Sequence, residues 1–248
     1  MNFAKLYILA IIAALAAGCG QVNGPTDSLV SNPDVHFETK WLCDNESGDR
    51  LNIVSRKEFD PSGRLIMQLE YDDSGVKVSQ STFEHSNSKR IEQQIIFDES
   101  GEVIKTVNFV YRLNSLGNIT EKIVTNSDGK LLNKVVFDYD IKGNLSRKTE
   151  YGPTGNMDEN IDYSYSYNHE GRLIERIITS NTNVNCRRDS LVYQHELNRI
   201  EKITFDASGN VDVIYAYIYN ASGLIHIETM TNPQGMMLRR FEYEYVYY

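Results

Sequence analysis

Tyrosine is the side chain in this sequence with the most to offer a ligand, and it comes at spacings that gather it. Tyr163, Tyr165 and Tyr167, and again Tyr215, Tyr217 and Tyr219, put three phenols at every second residue, on one face of a strand. Such rings have apolar faces and polar tips, which suits stacking on a glycan or an extended peptide. These six are the candidate binding platform, and packing of a sheet on itself is the competing reading, because phenylalanine fills equivalent positions elsewhere. The other reactive side chains do not assemble. His36, His85, His169, His195 and His226 are dispersed, and no His-Glu-x-x-His, Cys-x-x-Cys, Gly-x-Ser-x-Gly or phosphate loop occurs. No catalytic residue, metal site or cofactor is therefore assigned, and the chain reads as a non-enzyme. Asp60, Asp98, Asp138, Asp140 and Asp206 stand at or beside expected turns, where hydrogen bonding to the backbone is reason enough for a carboxylate.

The elements that position the tyrosines follow from glycine. Gly48, Gly75, Gly101, Gly129, Gly155, Gly209 and Gly235 recur at about 27 residues or twice that, with a glycine-free turn near Asn183. Gly63, Gly117, Gly143, Gly171 and Gly223 fall between them, and Lys89 and Asn198 stand where two further members are missing. Each period then holds two turns and two strands. After the glycines side chains alternate with a period of two, as in Leu65, Met67, Leu69 and Tyr71 against Ile66, Gln68 and Glu70. Eight and ten residues beyond the first-series glycines come Phe83 and His85, Phe109 and Tyr111, Phe137 and Tyr139, Tyr163 and Tyr165, Tyr217 and Tyr219, Tyr243 and Tyr245. Equal parity puts all of them on one face, as an aromatic band toward one end of the sheet. His85 takes a place in this ladder and reads as a packing residue, as does His195 beyond Tyr193.

The segments Tyr167-Asn168-His169-Glu170-Gly171-Arg172-Leu173, Tyr139-Asp140-Ile141-Lys142-Gly143-Asn144-Leu145 and Phe59-Asp60-Pro61-Ser62-Gly63-Arg64-Leu65 resemble the YD repeat of Rhs-type surface proteins, over roughly residues 48–248. The resemblance implies a β-repeat fold and supplies no catalytic residues. Rhs proteins are far longer and form a shell around a toxic C-terminal domain, whereas this sequence ends on a strand, so toxin delivery is not carried over. A loose tie to carbohydrate or cell-surface binding is what remains.

The N-terminus carries Lys5, an apolar stretch from Leu6 to Leu15, and Ala16-Ala17-Gly18-Cys19, which resembles a bacterial lipoprotein signal. The expectation is a signal peptide over 1–18, lipid on Cys19, a polar tether over 19–33 and one β-repeat domain over 34–248. That places the protein in the cell envelope, lipid-anchored, with the outer membrane the expected one. A plain secretory signal is the alternative. A formal net charge of −9 argues against nucleic acid as partner. Cys43 and Cys186 form a candidate disulfide, with two separate thiols an equal reading. Arg187 and Arg188 fall in an irregular insertion from Ser180 to Asp189, a solvated or an interaction loop.

Fifteen strands follow from Gly48 onward, and Val35, Phe37, Thr39 and Trp41 alternate well enough for a sixteenth. The fold expected is an all-β antiparallel meander of 15 to 16 strands, partly or fully rolled. Lys105, Asn133, Glu159 and Arg239, with Glu121, Arg147 and Glu175 on intervening strands, are expected beside the aromatic band as a wet zone. An outer-membrane barrel is the lesser alternative, because such charges facing lipid would cost about 2 to 4 kcal/mol each. The functional expectation is a membrane-anchored, non-catalytic scaffold for an envelope or host polysaccharide or a surface protein. An enzyme acting on envelope polymers and a purely structural lipoprotein are the alternatives.

Overall fold

The repeated unit of the architecture is a five-residue turn whose chemistry is local. In Asp140–Asn144 the Asp140 amide donates to Asn144 O (2.8 Å) and the Gly143 amide to Asp140 O (3.0 Å). The Asp140 carboxylate accepts from the Lys142 and Asn144 amides at 2.8 and 2.9 Å. Gly143 sits at φ 83°, a left-handed conformation that other residues adopt only with strain. This is a type I turn closed by a glycine bulge. Asp60, Asp98 and Asp206 hold their turns in the same way, as do Asn114, Asn168 and Asn220. Asp138 differs, lying within a strand opposite Arg147.

The computed structural model describes residues 34–182, 187–194 and 197–248. Its strands are β1 (Val35–Cys43), β2 (Arg50–Phe59), β3 (Leu65–Tyr71), β4 (Lys77–His85), β5 (Lys89–Phe97), β6 (Val103–Leu113), β7 (Ile119–Asn126) and β8 (Leu131–Tyr139). They continue with β9 (Leu145–Tyr151), β10 (Met157–Tyr167), β11 (Leu173–Ser180), β12 (Arg187–Gln194), β13 (Arg199–Phe205), β14 (Val211–Tyr219), β15 (Ile225–Thr231) and β16 (Met237–Tyr247). Each pairs antiparallel with the next, and β1 pairs with β16 from Val35↔Tyr247 to Cys43↔Arg240, so the meander closes into a barrel. Closure leaves no free edge for another chain to extend. The expected irregular insertion is shorter than its sequence suggests, because Arg187 and Arg188 already belong to β12 and pair with Ile178 and Ile177.

Burial assigns the two faces. Val107, Phe109 and Tyr111 on β6 are buried, as are Val135 and Phe137 on β8, and their cross-strand partners share the interior. Lys105, Asn133, Glu159 and Arg239 lie on this face, opposite Ile96, Val124, Glu150 and Met230. Glu121, Arg147 and Glu175 do not. Glu121 pairs with Arg112 and Lys134, Arg147 with Asp162, and Arg188 approaches Glu175, all on the outside. The glycine bulge is the cause. It shifts register at Leu113↔Ile119, Tyr139↔Leu145 and Tyr167↔Leu173, so the first residue of each following strand faces inward while the parity beyond it is inverted. On β3 the same shift turns Gln68 and Glu70 inward and leaves Met67 and Leu69 outside.

Candidate functional site

One end of the barrel, where β1 begins and β16 ends, holds the aromatic band, and there the rings complete missing rungs of the ladder. The β9–β10 pairing stops at Arg147↔Asp162, leaving Leu145 without a partner on β10, and Tyr165 donates its hydroxyl to Leu145 O at 2.8 Å. Tyr139 does the same for Ile119 O (2.6 Å) and Tyr245 for Ile225 O (2.7 Å). His85, replacing the phenol, brings Nε2 to 2.6 Å from Leu65 O. A buried carbonyl left unpaired costs free energy, so these contacts are a structural reason for a polar tip on a buried ring. Burial pushes the Tyr139 hydroxyl up to about 12 and raises Tyr165 and Tyr245 further, which keeps all three protonated as donors.

Next to the band runs a belt in which charged strands alternate with aromatic ones. Lys122 on β7, 2% exposed, lies over the Phe109 ring at 4.8 Å and the Tyr111 ring at 5.8 Å. Lys202 stands 4.3 Å from the Tyr215 ring and Lys40 4.0 Å from that of Phe241. Ring faces attract cations, and a desolvated site strengthens the effect. Carboxylates complete the belt. Glu92 accepts from Tyr111 (2.6 Å) and Ser81 (3.0 Å), Glu228 from Lys40 (2.8 Å) and Tyr243 (2.6 Å), and Glu38 from Lys57 (2.8 Å). Lys148 is paired with Glu150, and Arg176 Nε meets Asp189 at 2.9 Å. Burial lowers Lys122 to about 8 and raises Glu70, each favouring the neutral form.

All six platform tyrosines face this interior, and the structure brings them together only within their own strands. Tyr217 is 2% exposed and lies parallel to Tyr215 with ring centroids 6.3 Å apart. Tyr163 and Tyr165 pack on Val135, Phe137 and Leu145, and Tyr167 donates to Asn144 at 2.9 Å. Tyr163, Tyr165, Tyr167, Tyr215 and Tyr219 are half-buried. His36 stacks on Tyr248, whereas His169 and His226 lie on the surface. Cys43 is buried. Cys19, Cys186 and His195 lie outside the described residues. Glu92 and Lys122 were not singled out by sequence, and the signal that could have found them is a charge level with the aromatic pairs. An open surface groove of about 350 Å³ lies beside Ile177, Arg188 and Phe205, where β11 and β12 share a short ladder.

No protein-family model matches the chain, and no curated protein is similar to it in sequence. Among solved structures it is similar to a porin-like protein from Bacteroides uniformis, at 14% identity and a TM-score of 0.50 over 87% of this chain and 98% of that one. A porin-like protein from Bacteroides vulgatus gives 12% identity and a TM-score of 0.33, over 86% of this chain and 98% of that one. The Photorhabdus luminescens Tc holotoxin pore gives 10% identity and a TM-score of 0.22, over 81% of this chain and 15% of that one. The first of these likenesses shows the barrel fold and nothing finer.

Proposed function

We propose that this protein is a non-catalytic scaffold of the bacterial envelope, a barrel that stands on a membrane through lipid on Cys19 rather than spanning it. The observation that carries the reading is the outer face. Ion pairs lie along its strands, with Glu121 between Arg112 and Lys134 and Arg147 on Asp162 at the middle of β10, while Arg50, the first residue of β2, reaches in to Glu242 and Glu244. Charges at that depth would be costly against lipid, whereas in water they are ordinary. In the interior phenols hold backbone carbonyls and lysines are held by rings and carboxylates. The fold shared with a protein described as porin-like supports an envelope setting, and the Gly18-Cys19 junction supports a tether as the means of staying there. The hairpins are read as tandem two-strand units of about 27 residues in the manner of YD repeats. The partner is an envelope or host polysaccharide or a surface protein, held without chemistry.

Fractionation of cells expressing Cys19→Ser tests the anchor. The variant is expected in the soluble fraction, or as an uncleaved precursor, with no fatty-acid label, while the native chain stays with the membranes and carries the label. A folded, processed Cys19→Ser chain that remained in the membranes after alkaline extraction would show a barrel inserted in the bilayer and would overturn the reading.

A further inference from the structure

The two rims of the barrel differ in a way that turn geometry does not require. At the rim where β1 begins, Leu116 and Ile141 occupy the middle of their turns with 78% and 104% of their surface exposed, and Leu197, Tyr247 and Tyr248 are also exposed. The corresponding turn positions at the far rim carry Asp73 and Ser74, or Glu99 and Ser100. Charges divide in the same sense. At the first rim Asp60 is matched by Arg64 (2.7 Å) and Glu170 by Arg172 (2.8 Å), and at the far rim Asp73 is matched by Arg239 (2.8 Å). At the far rim Asp44, Glu46 and Asp49 share one turn, and Asp98, Glu99 and Glu102 lie in and beside another. Backbone amides hold Asp44 below the ordinary carboxylate range, and the Ser100 hydroxyl with backbone amides does so for Asp98, so both stay ionised. The far rim exposes as many large apolar side chains, Leu51, Val76, Val103, Ile104, Met157, Met236 and Leu238, so what separates the rims is charge: a surface meeting Val103 would also have to desolvate the neighbouring carboxylates.

The chain supplies the occupant. Residues 20–33 separate Cys19 from Asp34, and Asp34 enters at the first rim, where its carbonyl accepts from the Tyr248 amide at 3.0 Å. Even fully extended, such a tether spans only about 50 Å. It holds this rim at a high effective concentration beside the bilayer, so that weak contacts suffice. Exposed tyrosines with scattered aliphatic side chains match the headgroup zone, where amphipathic rings settle. We infer that this rim is a membrane-docking surface on which Leu116, Ile141, Leu197, Tyr247 and Tyr248 rest in the headgroup zone, holding the barrel upright with its acidic rim outward. The inference rests on the lipid anchor at Cys19.

The test uses the full lipidated chain in vesicles of phosphatidylethanolamine and phosphatidylglycerol whose acyl chains are brominated near the headgroup. Trp41, the one tryptophan, lies on the outer face toward the far end of β1. Its emission is expected to be unchanged by brominated lipid. In a Trp41→Phe background, Ile141→Trp is expected to lose most of its emission and Met236→Trp, on the acidic rim, to keep it. Equal quenching at the two rims, quenching at neither, or quenching of Trp41 would overturn the docking surface while mass spectrometry still finds lipid on Cys19. A chain without lipid would overturn the anchor, and the docking inference with it.

Discussion

The hairpin β8–β9 and the hairpin β4–β5 differ by one residue of loop, and the interior chemistry of each arc follows from that difference. Between Asp140 and Asn144 three residues turn the chain, Gly143 takes the left-handed conformation and a bulge follows, whereas between Ser86 and Lys89 two residues suffice and no register shift occurs. The bulged strand β9 sends Leu145, Lys148 and Glu150 inward. The unbulged β5 sends Arg90, Glu92, Gln94 and Ile96 inward, and its ladder with β6 runs on to Lys89↔Arg112. The β9–β10 ladder ends short, so Tyr165 must serve a backbone carbonyl. Its counterpart Tyr111 has no open carbonyl to serve and donates instead to the Glu92 carboxylate. A loop length thus decides whether a phenol completes a rung or binds a buried charge.

The largest effect expected from this contrast is a pH dependence. Lys122 is lowered by burial to about 8 in the fold against 10.5 in an unstructured chain, so between those values the unfolded state binds more protons. Stability should therefore rise by about 2 to 3 kcal/mol as pH goes from 7 to 10. Above about pH 10 the tyrosines reverse the trend, because Tyr139 and Tyr219 are held up to about 12 in the fold while unfolded tyrosines already ionise. Urea midpoints across this range should show the rise in the native chain and lose it in Lys122→Met. A flat native profile would mean that the ring faces and Glu92 keep Lys122 as comfortable as in water.

Next come the hydroxyls themselves. Tyr111→Phe should cost about 2 to 3 kcal/mol, because a buried carboxylate loses a donor. Tyr165→Phe should cost about 1 to 2 kcal/mol, because only a neutral carbonyl is left unpaired. Equilibrium unfolding of both variants gives the ratio, and equal losses would remove the distinction between the two arcs.

Much of this scaffold was legible in sequence, and the exceptions have one origin. The turn glycines adopt positive φ, the strand at Val35–Cys43 exists, and the aromatic pairs eight and ten residues on share the buried face. Those features depend on local chemistry and parity. Glu121, Arg147 and Glu175 were misplaced because parity was counted through a bulge, which adds a residue without leaving a mark in the hydrophobic pattern. The polar tip of Tyr165 suits a ligand on sequence grounds, yet its acceptor, like those of Tyr139 and Tyr245, is a carbonyl 20 residues earlier, on the neighbouring strand. No side-chain pattern encodes a free carbonyl. Closure, too, depends on β1 meeting β16, a contact between the two ends of the meander.

The smallest expected effects concern the turns that set this contrast. Gly143→Ala should cost about 1 kcal/mol, all of it from the left-handed backbone, since a Cβ there would meet nothing within 4 Å. Asn198 is the informative partner. It is the one non-glycine residue with positive φ among the described residues, at 45°, in the β12–β13 hairpin, which shows no register shift. If glycine itself created the bulge, Asn198→Gly should introduce one, shift the β13 register by a residue and turn Ile200 and Lys202 outward, at a cost of several kcal/mol. If loop length creates it, the substitution only relaxes a conformation that asparagine already tolerates, and stability should move by no more than about 0.5 kcal/mol. The second outcome is expected. Thermal unfolding of the two variants side by side, with amide exchange at Ile200 and Lys202 reporting the register, decides between a turn defined by its glycine and one defined by its count of residues.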